Sequence, residues 1–138
     1  MIEITKQDYE KVTDFTDDVI DSYAEARGQP FGWEQFAFEA VNNGERVGAV
    51  VGNRLYDWLY VEYIGVAESA RGDGVGGMLL DRVENLAREL ALKGVALNTF
   101  RYQAPKYYAA RGYTECMVIP GRTSERDRIY FQKKLEEE

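Results

Sequence analysis

Histidine is absent from the 138 residues, and cysteine occurs once, at Cys116. Without histidine there is no Ser-His or Cys-His nucleophile pair, and with one thiol the usual zinc ligand sets are excluded as well. Proton transfer is left to carboxylates, tyrosines, lysines or the thiol. A single cysteine rules out an internal disulfide, in agreement with a reducing compartment, and Cys116 is read as a small buried hydrophobe. No apolar run approaches the length of a membrane span, and the opening MIEITKQDYE lacks the basic region and apolar stretch of a secretory leader, so a cytoplasmic location is expected. A net charge of -7 is the wrong sign for displacing phosphate counterions, so no nucleic-acid partner is expected. An amine suits the acidic balance, which plain solubility also explains.

With 45% hydrophobic and 13% aromatic residues, the chain has the size and composition of one globular domain, taken as residues 1–138. Acids outnumber bases over residues 1–30, and the reverse holds over 101–138. Thr5 with Asp8 has capping-box spacing, and Val12, Phe15, Val19 and Tyr23 line one face of a helix that stops near Gly28. FAFEAV and RVGAVVGNRL flank the turn signal NNGE and read as an antiparallel pair, with WLYVEYIGV a third strand. From Gly74 the period changes: Val75, Leu79, Val83, Leu86 and Leu90 form a helical stripe, closed by Lys93 and Gly94. VALNTF then reads as a strand, PKYYAARG as a short helix, and YTECMVI and DRIYFQKKL as two more strands before a frayed EEE tail. Strands, helix, strand, helix, strands make an α+β (mixed α/β) chain.

The run SARGDGVGGMLL contains Gly72, Gly74 and Gly77 at dinucleotide-binding spacing. That fold would place the turn after the first strand of a parallel unit, with an acid about twenty residues later. Here the turn follows an antiparallel meander, and LKGVALNTF supplies no such acid. A Walker loop is excluded because no Gly-Lys-Ser or Gly-Lys-Thr follows. Physically, the run presents unobstructed backbone N–H groups at the positive end of a helix, with Arg71 as a forked donor at its lip, a geometry suited to a pyrophosphate. The alternative is a glycine-rich turn that only permits close packing.

WLYVEYIGVAESARGDGVGGMLL resembles the acyl-CoA motif of the GNAT N-acetyltransferase superfamily, through Arg71, Gly74 and Gly76. VALNTFRYQAPKYYAARGYTE is similar to a later segment of that family, through Tyr107, Tyr108, Gly112 and Tyr113. The resemblance covers residues 44–134 well and the first helix only loosely. It implies a GNAT-like fold: a mixed, mostly antiparallel sheet in which strands 58–66 and 95–100 run parallel and splay apart. It further implies acetyl-CoA as cosubstrate without a metal, with the main chain of Ile64 and Val66 on pantetheine and the loop Arg71, Gly72, Asp73, Gly74, Val75, Gly76 on the pyrophosphate. Asp73 departs from the family's usual basic or neutral residue and is read as a helix cap. Pairing of two copies through their sheets is a further implication.

Acetyl transfer to an amine needs a base for the ammonium, a donor to the thioester carbonyl and a proton for the thiolate. The resemblance selects Tyr108 as the acid, against a packing role; Tyr107, about 100° away on the same helix, cannot share its pocket and is assigned to the cofactor side. Glu62, the one acid inside the apolar third strand, is the candidate base. Strand alternation puts it on one face with Trp58, Tyr60, Ile64 and Val66, and a packing partner is the alternative. Asp57 is held in reserve. Asn98 and Gln103 are candidates for orienting cofactor or substrate, or for capping strand and helix ends. The expected activity is direct acetyl transfer to a small-molecule or peptidyl amine; a non-catalytic acyl-CoA-binding module on the same fold is the alternative.

Overall fold

The computed structural model describes residues 1–135, so the expected frayed tail at Glu136 to Glu138 lies outside the described residues. Chain contacts divide into two units, Met1–Gly32 and Trp33–Glu138. In the first, helix α1 runs from Tyr9 to Ala26. The capping box does not form: Asp8 itself takes the N-cap position without a side-chain bond, and its carboxylate pairs with Lys11 at 3.5 Å. Thr13 Oγ1 instead donates to the Tyr9 carbonyl at 2.5 Å. Arg27 lies 3.4 Å over the Tyr23 ring, and Gly28 turns the chain out of the helix with φ +70°.

The second unit is a six-stranded sheet in the order β1-β2-β3-β4-β6-β5. Its strands are β1 (Glu34–Asn42), β2 (Glu45–Leu55), β3 (Trp58–Val66), β4 (Gly94–Phe100), β5 (Thr114–Ile119) and β6 (Arg128–Lys134). Every neighbouring pair is antiparallel except β3 and β4. That exception is required because helix α2 (Val75–Glu89) carries the chain across between them. Helix α3 (Pro105–Ala110) connects β4 to β5, with Pro105 in its first turn.

One face of α2 buries Leu79, Leu80, Val83 and Ala87 against Val50, Leu59, Val61, Val95, Leu97, Ile129 and Phe131. Alternation along β4 and β6 then puts Asn98, Arg128 and Tyr130 on the opposite face of the sheet from Leu97, Ile129 and Phe131. The α2 stripe ends earlier than its spacing implies. Ala91 takes φ +56°, Lys93 N–H donates to the Asp57 carbonyl at 2.7 Å, and Gly94 opens β4 rather than closing the helix. Among the described residues, no helix is long and apolar enough to cross a membrane.

The β2–β3 ladder slips once: Val51 pairs with Tyr63 and Gly52 with Val61, leaving Glu62 as the extra residue of a bulge. Backbones close tightly there, since a Cβ built on Gly52 would lie 2.0 Å from the Tyr60 carbonyl oxygen and 2.6 Å from the Phe36 ring. Gly52→Ala is therefore expected to cost about 2–3 kcal/mol, the upper part of the overpacking range. Urea unfolding checks this; a midpoint equal to wild type would show that the strands can part without penalty.

Candidate active site

β3 and β4 stay in register at three positions only, Trp58 with Gly94, Leu59 with Val95 and Tyr60 with Ala96. Beyond Tyr60, β3 remains paired to β2 as far as Val66, and β4 remains paired to β6 as far as Phe100. Each strand follows its own outer neighbour, so the two separate. The gap is a cavity of about 720 Å³. Ile64, Leu97, Thr99, Gln103, Ala104 and Tyr108 line it from the α2 and α3 side, and Tyr60, Glu62, Asn98 and Arg128 from the other.

The helix start beside this gap matches its sequence reading. Gly72 and Gly74 hold φ +88° and +79°, conformations that favour glycine, and they turn the chain into α2. Gly74 is the N-cap and no side chain bonds the first-turn N–H groups. Asp73 is thus not the cap: its own N–H is drawn back to the Ala70 carbonyl at 3.3 Å, and the helix begins one residue later. Arg71 Nε donates to the Val66 carbonyl at 3.3 Å, tying the loop to the end of β3. The result is an uncapped helix terminus of fifteen residues with a guanidinium at its lip.

The two tyrosines of α3 diverge as adjacent helical residues must. Tyr108 is buried, edge-on to Tyr107 at 5.4 Å and to Tyr113 at 5.9 Å, and tilted against Phe131 at 6.1 Å, yet it lines the cavity. Burial, and then the neighbouring Tyr107, raises its pKa above the ordinary tyrosine value. Tyr108 thus both packs in the core and lines the cavity. Tyr107 reaches the start of α2, where its hydroxyl is 3.2 Å from the Cβ position of Gly77 and 3.7 Å from that of Gly76.

The bulge overturns one expectation about Glu62. Because it is the extra residue, alternation is broken there: Leu59 and Val61 face the core before it, while Ile64 packs toward the same core after it. Glu62 therefore does not share a face with Ile64 and Val66. It stays in the cavity wall and accepts a hydrogen bond from Asn53 Nδ2. The reserve acid Asp57 sits at the closed end of the β3–β4 pair, next to the three registered positions, and does not line the cavity.

Asn98 donates to the Tyr60 hydroxyl of β3 and accepts from Arg128 Nε of β6 at 2.9 Å, so both ends of its amide are engaged. Gln103 Oε1 accepts from the Phe100 N–H at 2.9 Å and contacts Thr99 Oγ1 at 3.3 Å, a strand-end role. Cys116 is exposed, in conflict with its reading as a buried hydrophobe. The β5–β6 register slips between Glu115 and Met117 and turns it out of the ladder, where its thiol donates to the Tyr130 carbonyl at 3.3 Å. Arg128 was not legible as a cavity residue. The alternation of DRIYFQKKL put it opposite Ile129, but only the insertion of β6 between β4 and β5 brings it to the gap.

Similarity to known proteins agrees with this geometry. Over 78 residues the chain is 38% identical to a blasticidin-S acetyltransferase of Streptomyces morookaense, a match covering 56% of this chain and 57% of that protein. The chain thus spans little more than half the length of that relative. An acetyltransferase structure from Bacillus cereus ATCC 14579 superposes with a TM-score of 0.83 at 26% identity, over 97% of this chain and 98% of the other. A Bacillus anthracis str. Ames protein solved in complex with acetyl coenzyme A shares the fold, with a TM-score of 0.66 at 24% identity over 73% and 62% of the two chains. The family model of the acetyltransferase (GNAT) family matches residues 1–113, and the protein belongs to that family.

Proposed function

We propose that the protein is an acetyl-CoA-dependent N-acetyltransferase that delivers the acetyl group directly to a primary amine of a small molecule or peptide. The observation that carries this reading is the parting of β3 from β4 into a cavity lined from both faces of the sheet, between an uncapped helix terminus and Tyr108.

Acetyl-CoA supplies an activated acyl group as a thioester. The backbone N–H groups of Gly72, Gly74, Val75 and Gly76, with the Arg71 guanidinium, would hold the pyrophosphate, while the Asp73 N–H stays on the Ala70 carbonyl, and Tyr107 lies over the same helix start. The main chain of Ile64 and Val66, on the β3 edge freed beyond Tyr60, would hold pantetheine as an added strand. A backbone N–H on that edge polarises the carbonyl. Glu62 Oε accepts the ammonium proton on the acceptor side, and Tyr108 Oη holds a proton on the other. Nothing in this scheme calls on a metal. The name of the Streptomyces relative makes blasticidin S the first acceptor to assay.

Calorimetry with acetyl-CoA and with CoA tests the cradle. Micromolar binding is expected for the wild type, weakened by about 10–100-fold in Arg71→Ala, the loss of one or two charge-assisted hydrogen bonds. Gly74→Val, which forces a β-branched residue to φ +79°, should weaken it further. Absence of heat with either ligand would remove the acetyltransferase reading. Binding without thiol release across an amine panel would favour the acyl-CoA-binding module.

A further inference from the structure

Arg128 is half-buried at the start of β6 and lines the cavity on the face opposite α2 and α3. Its Nε is spent on Asn98 Oδ1 at 2.9 Å, and Asn98 is itself braced by the Tyr60 hydroxyl. The guanidinium carbon sits 5.2 Å from the Tyr130 ring centroid, so the side chain is held by an amide on one side and an aromatic face on the other. No carboxylate among the described residues is within ion-pair distance of it. Glu62 lines the same cavity without pairing to it. The two terminal nitrogens, a ready-made fork, are therefore left for a ligand.

We propose that the acceptor is an amine that also carries a carboxylate, with Arg128 binding the carboxylate and Glu62 facing the ammonium. This rests on the acetyltransferase reading and names its substrate class. Asn98, Arg128, Tyr60 and Glu62 stand on the far side of the sheet from Tyr108 and the α2 terminus, so Arg128 meets the acceptor rather than the cofactor. A single guanidinium matches a monoanion. A phosphate dianion would leave excess negative charge beside Glu62.

The test uses matched acceptors: L-lysine, 4-aminobutyrate and L-phenylalanine, each against its carboxamide, at saturating acetyl-CoA, with rates corrected for the free-amine fraction. In the wild type at least one acid should exceed its amide about 100-fold in kcat/KM, as expected when a charged hydrogen-bonded pair is made or left out. In Arg128→Gln that ratio should fall below about 5-fold, mainly through KM of the acid. Arg128→Lys, which keeps the charge and loses the fork, should retain about 10-fold and supplies the comparison if the glutamine variant melts early. Because the readout is a ratio within each protein, a general loss of activity does not move it. A protein that binds acetyl-CoA but takes the amides as well as the acids, or takes neither, overturns the proposal, as does a wild-type ratio that survives Arg128→Gln. A protein that binds no acetyl-CoA instead fails the reading on which it rests.

Discussion

Glu84→Ala is expected to cost about 3 kcal/mol and to lower the melting temperature by roughly 10 °C, because it strips one buried carboxylate from three donors at once. Glu84 lies on the buried face of α2 and is 3% exposed. Its two oxygens accept from Lys133 Nζ at 2.8 Å, Tyr113 Oη at 3.1 Å and Arg111 Nη2 at 3.3 Å. Arg111 keeps a second acceptor, Asp81 at 2.6 Å, so it survives the change. Tyr113 and Lys133 do not. Burial opposes the charge of Arg111, yet the carboxylates of Asp81 and Glu84 outweigh it and raise its pKa. The cost stays below the full penalty for breaking a buried pair because the Lys133 side chain is 23% exposed and can reach water. Glu84→Gln retains the shape and one acceptor oxygen, and about half the loss is expected. Thermal melts of both variants decide it; an alanine variant within 2 °C of wild type would mean that the cluster relaxes onto solvent.

The same cluster marks the boundary of what the sequence made legible. Periodicity located α2 because Leu79, Val83 and Leu86 repeat at helical spacing, and WLYVEYIGV coincides with β3 from Trp58 to Val66. Glu84, four residues after Leu80 and three before Ala87, was not singled out by that periodicity, and only the structure shows it buried on the same face. Its three donors come from positions 111, 113 and 133, and no local pattern announces them. Glu62 failed differently. Strand alternation assumes an unbroken ladder, and the bulge depends on how closely Gly52 and the Tyr60 carbonyl approach across the partner strand. Glycines at positive φ, by contrast, are local, so the turn at Gly72 and Gly74 could be placed from composition alone. The parting of β3 and β4 stands between these cases: it follows from which outer neighbour each strand keeps, and only the family resemblance supplied that.

Tyr108→Phe should reduce kcat for acetyl transfer about 100–1,000-fold, within the range for losing a general acid, while leaving KM for acetyl-CoA within about 2-fold. The substitution removes one oxygen and nothing else. No described residue hydrogen-bonds the Tyr108 hydroxyl, and the ring contacts with Tyr107, Tyr113 and Phe131 are available to phenylalanine, so the melting temperature should not fall. Stability and rate are thereby separated, which tests the acid role against pure packing. Burial gives the pH dependence its sign. It disfavours the tyrosinate and raises the pKa above the ordinary tyrosine value, which favours the protonated form. An alkaline limb due to Tyr108 is therefore expected on the alkaline side of the ordinary tyrosine range, and a limb near neutrality is expected from another group. The same burial makes complete loss of the proton uphill, so donation has to be coupled to recovery of a proton through the cavity, which Tyr108 lines. A solvent isotope effect on kcat, present in wild type and lost in Tyr108→Phe, would follow from that coupling. A phenylalanine variant that keeps kcat within about 3-fold would return Tyr108 to the core and leave the thiolate to be protonated by water.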